Sequence, residues 1–207
     1  MRIDCHIHGA NIYKDIERIK ETCGQRKIDA LVCTDHVKII DIANKTIDID
    51  KWFIPYCSLK ENIKDILILL GAEVNINNND YLLYGLEKKE MIELYKSGVK
   101  DFYNFKKIIS SFSGLVFQAH PCRIKHENYK HLINLNVDGF EVKNGHVRHG
   151  TDIQNTQTES IANTFNKLKI GGSDAHRSKN IGTAFIEVSG FDVKTEKDLV
   201  KCLRSRT

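Results

Sequence analysis

Five short stretches carry side chains able to bind a cation or move a proton. They are Asp4-Cys5-His6-Ile7-His8, Thr34-Asp35-His36, Glu73, His120-Pro121-Cys122-Arg123 and Ser173-Asp174-Ala175-His176. Imidazole nitrogen and carboxylate oxygen together form a ligand set for divalent zinc, manganese or iron. In an extended segment, residues i and i+2 point to the same side. His6 is therefore expected to pair with His8, with Asp4 on the same face, and Asp174 with His176. Seven metal-ligand candidates result: His6, His8, His36, Glu73, His120, Asp174 and His176. Each alone has a plainer alternative as a core histidine, a helix cap or a surface carboxylate. Their common position, just after strand-like apolar runs, is what the plainer readings do not explain.

Other residues fall near these. Asp35, beside His36, is a candidate to orient a ligand or handle a proton, with capping of a turn as the alternative. Arg123 and Arg177 are candidates to grip phosphate through a two-pronged guanidinium. Glu141 and Asn144 could support the cluster or line a pocket. His146 and His149 follow them and could touch substrate. His126 and His131 are read as solvated on a polar helix.

The elements that must position these groups alternate. Strand-like runs are Arg2 to Ile7, Ile28 to Cys33, Ile66 to Leu70, Gly114 to Ala119, Val137 to Val142 and Gly182 to Val188. Tyr81 to Tyr84 could pair back after the turn at residues 77–80. Helical spacing covers Ile12 to Cys23, residues 88–112 in two pieces broken near Gly98, Glu159 to Lys167, and Glu196 to Leu203. Residues 41–56 are irregular. Alternating strands and helices argue for a parallel sheet of βα units. In a β/α barrel the strand ends share one face, where loops build the active site. That geometry would let distant residues meet.

With 207 residues, 41% hydrophobic and 28% charged, the chain fits one soluble domain spanning residues 1–207. Its 2 prolines and 13 glycines leave no room for long linkers. No apolar stretch is long enough to cross a bilayer. Residues 1–4 lead straight into a strand-like run without a signal-peptide pattern, so the expected location is cytoplasmic. The 6 cysteines lack CxxC pairing and read as small buried thiols, with Cys5 out of phase with His6 and His8. A net charge of +4 suits a small anionic substrate without demanding nucleic acid.

The set Asp4-x-His6-x-His8, Thr34-Asp35-His36, Glu73, His120-Pro121-x-Arg123 and Ser173-Asp174-Ala175-His176 resembles the polymerase and histidinol phosphatase (PHP) superfamily. Residues 139–145 and Ile181-Gly182-Thr183 also look like that family. The match spans nearly the whole chain, in the family's order. The resemblance implies an α/β fold, a distorted (β/α)7 barrel with two or three divalent ions at the C-terminal ends of the strands. It implies that His6, His8, Glu73 and Asp174 hold one ion. Glu73 would bridge to a second held also by His120, with His36 and His176 on a third. Two family histidines are missing. One would stand near Asn11 to Lys14, where the Lys14 ammonium could replace part of a cation's charge. The other would stand between Glu73 and His120, at Asp80, Tyr81 or Leu82.

These residues point to a metal-dependent phosphoesterase that acts on a small phosphomonoester or nucleotide through metal-activated water. An exonuclease acting on nucleic-acid ends is the alternative. No basic stripe with interleaved aromatics supports it, since Lys106-Lys107 and Lys125 to Lys130 are short. A non-catalytic metal-binding module is the third reading.

Overall fold

The computed structural model describes residues 1–126, 129–130, 132–146 and 151–206. The chain opens with β1 (Arg2–Ile7), α1 (Gly9–Ile12), α2 (Ile16–Arg26), β2 (Ala30–Cys33), β3 (His36–Lys38), α3 (Ile39–Asn44) and α4 (Ile49–Asn62). It continues through β4 (Leu67–Ile76), β5 (Asn79–Tyr84), α5 (Lys88–Lys96), α6 (Phe102–Ser111), β6 (Leu115–Gln118), β7 (Ile124–His126) and β8 (Tyr129–Lys130). It ends with β9 (Gly139–Asn144), α7 (Asp152–Thr164), β10 (Leu168–Gly172), β11 (Ile186–Glu187) and α8 (Glu196–Arg204).

One sheet runs in the order β10-β9-β6-β5-β4-β2-β1-β11, with β3 extending alongside β4. Its two ends nearly close into a barrel. Beyond β10, Asp174 N–H donates to His6 O (2.8 Å), and His8 N–H donates to Ala175 O (3.0 Å). A Cβ on Gly172 would stand 2.4 Å from His6 Cβ, so only glycine lets the strands approach this closely. The barrel is distorted because β5 runs antiparallel to both β4 and β6, and β11 antiparallel to β1.

Alternation along the strands sorts two cores. Ile68, Leu70, Ala72, Val74, Leu83 and Val116 face the helices and pack with Ile19, Phe53 and Phe105. Ile3, Val32, Leu69, Leu82, Tyr84 and Phe117 fill the barrel, joined by Leu199, Val200 and Leu203 of α8. The amphipathic α8 thus covers the end opposite the mouth that the ligand candidates occupy. Its start is held by Glu196, a buried carboxylate that accepts from Leu70 N–H (3.1 Å).

Several sequence expectations shift. Residues 41–56 are mostly helical: Asp48 caps α4 by accepting from Lys51 N–H (3.2 Å), a start signal hidden in an irregular-looking run. The third strand does not stop before Glu73 but carries it inside β4, because β5 extends the ladder to Ile76. Helix α7 starts seven residues earlier than its apolar spacing suggests, at the Thr151–Gln154 capping box. The last strand shrinks to two residues. The helix expected around His126 is the β7–β8 hairpin; His131 and His149 lie outside the described residues. Gly98 does separate α5 from α6, at φ +71°. No described helix is long and apolar enough to cross a membrane.

Candidate metal centre

Strand β1 carries His6 and His8 to the mouth with an irregularity between Asp4 and Ile7. That break changes the role of Asp4. Instead of joining the histidine face, its carboxylate accepts from the backbone N–H groups of His6 (3.2 Å), Ser173 (2.8 Å) and Gly182 (2.7 Å). It clamps the barrel seam. Burial raises its pKa to about 6 against the pull of these donors.

Glu73 stands at the centre. Its Oε2 lies 2.7 Å from His36 Nδ1, 3.6 Å from His6 Nε2 and 3.7 Å from His8 Nε2. Its Oε1 lies 3.2 Å from His120 Nε2. Asp174 Oδ1 is 3.0 Å from His8 Nε2, 3.5 Å from His176 Nδ1 and 3.7 Å from His6 Nε2. All seven predicted ligands therefore meet. The Asp174–His176 pair does so by a different route from the one expected. Asp174 is not extended but left-handed at φ +52°, and His120 at φ +30° is similar. Non-glycine residues adopt such angles at a cost, and here the turn swings both side chains inward.

The electrostatics ask for a cation. Glu73, Glu141 and Asp174 are buried, and among the described residues they meet imidazoles but no ammonium or guanidinium. Burial alone would raise the carboxylates of Glu73 and Asp174. The facing imidazoles, His6 foremost, hold both well below the usual range. Burial pulls His6 down, but Glu141, Asp174 and Glu73 outweigh it and raise its pKa. His36 and His120 are raised by Glu73 against the same burial. Burial dominates at His8 and lowers it to about 4.

The geometry fits ions. Ligand atoms around a centre bonded at about 2.1 Å stand roughly 3.0–3.6 Å apart. The spacing of His6 Nε2 from Glu73 and Asp174 is of that order, and this sealed nitrogen makes no hydrogen bond. His8 Nδ1 is likewise sealed and without a hydrogen bond, and the His8 ring lies 4.2 Å from His36 and 4.1 Å from His176. Among the described residues, three groups have ligand atoms mutually within 4.8 Å: His6, His8 and Glu73; His8, His36 and His176; and Glu73, Asp80 and His120.

Outer partners hold these rings. Glu141 Oε1 faces His6 Nδ1 at 2.9 Å, and its Oε2 accepts from His120 N–H (2.9 Å) and Asn144 Nδ2 (3.0 Å). Asp35 turns from the cluster and accepts from Ala10 N–H (2.8 Å), in the turn that follows His8; burial raises its pKa to about 6. Arg123 reaches the site's edge, with Nη1 3.7 Å from Asp80 Oδ2. Arg177 is exposed at the start of the Ser178–Asn180 turn. Lys14 is exposed, its ammonium 5.6 Å from the Tyr13 ring centre. The His146 ring lies 5.9 Å from that of His176, at the same mouth. Asp80 is the group the residue pattern left undecided; the alternation Asp80, Leu82, Tyr84 on β5 is the signal that turns it inward.

A nearly closed α/β barrel with this histidine–carboxylate mouth is the PHP fold. The chain superposes on PsfC from Pseudomonas syringae PB-5123 over 98% of its length and 88% of that chain (TM-score 0.71, 16% identity). It matches a two-domain protein from Bacteroides vulgatus containing a predicted PHP-like metal-dependent phosphoesterase over 86% of its length (TM-score 0.61, 17% identity). It matches the lesion-specific endonuclease PfuEndoQ from Pyrococcus furiosus over 100% of its length (TM-score 0.65, 16% identity). The chain spans only 52% and 56% of the latter two chains. Residues 152–207 match the PHP-associated family. No curated protein matches the sequence. The fold is thus shared with PHP-like proteins, and the family match covers the C-terminal quarter of the chain.

Proposed function

We propose that this chain is a metal-dependent hydrolase of phosphoesters, with a small anionic phosphomonoester or nucleotide as substrate. The observation that carries this reading is the sharing of two buried carboxylates, Glu73 and Asp174, among five imidazoles at one barrel mouth. The mouth would hold divalent ions, whose chemistry when bound would be to lower the pKa of water and polarise phosphoryl oxygens. His6, His8, Glu73 and Asp174 would hold one ion, and Glu73 with His120 a second. His36, His176 and the free face of His8 border a third position.

Arg123, whose Nη1 stands 3.7 Å from Asp80 Oδ2 at the edge of the mouth, is the guanidinium assigned to the phosphoryl group in this reading. Asp35 acts at a distance, holding the Ala10 turn and through it His8. Arg177, exposed beside His176, contributes at most to the rim of the substrate site.

Nucleic-acid ends are the second reading; the fold is shared with a lesion-specific endonuclease, which acts on nucleic acid though within a strand. Against it, Lys106 is engaged with Asp138 at 3.1 Å rather than offered to a strand. Chelator-stripped protein, reloaded with manganese or zinc, is to be assayed on p-nitrophenyl phosphate, nucleoside monophosphates and an end-labelled oligonucleotide. Metal-restored release of phosphate from the small esters is expected. Shortening of the oligonucleotide without that release would favour the second reading, and no hydrolysis of any kind would leave a non-catalytic metal module.

A further inference from the structure

We infer that Asp80 completes the ion site formed by Glu73 and His120, supplying a carboxylate where an imidazole would otherwise complete it. The inference rests on the metal-hydrolase reading of the same mouth and adds to it a ligand and a metal preference.

Three observations carry it. First, β5 runs back along β4 with Asp80 opposite Asn75, and Ala119 N–H donates to Asp80 O (2.9 Å). This places Asp80 between the strand that bears Glu73 and the turn that bears His120. Second, period-two alternation puts Asp80 on the barrel-facing side with Leu82 and Tyr84, and it is only 7% exposed. Tyr81 faces the helices, packs on Phe102 and accepts a hydrogen bond from Asn134 Nδ2 (3.0 Å). Leu82 has no donor atom. Of the three positions that could replace the missing imidazole, only Asp80 presents a ligand atom, and it lies within 4.8 Å of those of Glu73 and His120. Third, the shared partner Glu73 is 2% exposed and its Oε1 lies 3.2 Å from His120 Nε2, so the other two members of the group already stand together. Glu73, Asp80 and His120 are all buried, and oxygen and nitrogen atoms brought together in that way favour a cation among them.

The Asp80 carboxylate is also oriented as a ligand should be. Asn75 Nδ2 donates to its Oδ1 at 2.6 Å, the kind of outer hydrogen bond that fixes a ligating carboxylate. Two carboxylates and one imidazole make a harder site than one carboxylate and two imidazoles. Carboxylate oxygen suits manganese, whereas imidazole suits zinc. The site therefore prefers manganese over zinc more strongly than a histidine at position 80 would.

The rival role for Asp80 is to anchor Arg123, 3.7 Å away. The test measures ions per chain and binding affinity on the whole protein, with no substrate present. Wild type, Asp80→Asn and Asp80→His are stripped and dialysed against graded manganese or zinc, then counted by mass spectrometry; manganese is followed by its paramagnetic resonance. Circular dichroism of the stripped proteins confirms that each is folded. Wild type is expected to hold at least two manganese ions. Asp80→Asn should weaken one of them by about tenfold or more, and Asp80→His should restore that site with zinc favoured. Wild-type affinity and count for both ions in Asp80→Asn would overturn the inference and leave Asp80 as the anchor of Arg123. A wild type that binds no ions would instead overturn the metal reading itself, and this inference with it.

Discussion

Glu141 Oε1 lies 2.9 Å from His6 Nδ1, with both side chains sealed from solvent. The other Glu141 oxygen accepts from the His120 backbone N–H and from Asn144. One carboxylate thus orients a ring on β1 and the backbone of the turn after β6. Such partners fix the tautomer of a ligating imidazole and raise its basicity. Glu141→Gln, which keeps the shape but loses the charge, should weaken metal binding by about 10–100-fold. Titration of the stripped protein with manganese checks this.

Glu73 touches four imidazoles, more than any other carboxylate of the cluster. Replacing it with Gln should cost more than the loss of an outer partner, exceeding the roughly 10–100-fold effect expected there. It should lower the number of ions per chain as well as the rate of hydrolysis. A normal ion count in Glu73→Gln would rule out a bridging role for it.

The histidines give metal-free and metal-loaded protein opposite responses to pH. In the metal-free protein His6, His36 and His120 have pKa values raised by their carboxylates. The fold then binds more protons than the unfolded chain above about pH 6.5. Their stabilisation is complete below that pH and is lost as pH rises through the raised values. His8, lowered to about 4, works the other way: its contribution is present above about 6.5 and is lost as pH falls toward 4. Loaded ions need neutral imidazoles, so their stabilisation grows with pH. Between pH 6.5 and 8.5 the melting temperature of stripped protein should fall, and that of manganese-loaded protein should hold or rise. Parallel slopes would mean that protons and ions do not compete for these rings.

Gly172 allows the barrel seam to close, since an added Cβ would meet His6 Cβ at 2.4 Å and His6 N at 2.6 Å. Gly172→Ala is expected to destabilise the fold by about 2 kcal/mol through overpacking. In a chain of this size that lowers the melting temperature by about 4–8 °C. Because the clash falls on the backbone of a candidate ligand, metal affinity should fall too. Thermal melts with and without manganese separate the two effects.

Much of the site was legible in the residues themselves. Imidazoles and carboxylates after apolar runs mark strand ends, and a barrel brings strand ends together whatever their separation in the chain. All seven ligand candidates do meet. The capped start of α4 was less legible, because short side-chain hydrogen bonds rather than periodic apolar residues define it.

Local pattern determined which residue types are available and roughly where each strand ends. Only the tertiary structure decided their roles. Asp4 has the spacing of a ligand, yet an irregularity in β1 turns it onto the backbone N–H groups of nearby His6 and of Ser173 and Gly182 across the seam. Asp80 looks like part of a turn, yet antiparallel pairing of β5 with β4 and β6 seats it beside Glu73 and His120. The reason is physical: alternation along a strand gives a side chain one of two faces, but register, bulges and the closing of the sheet decide what that face meets.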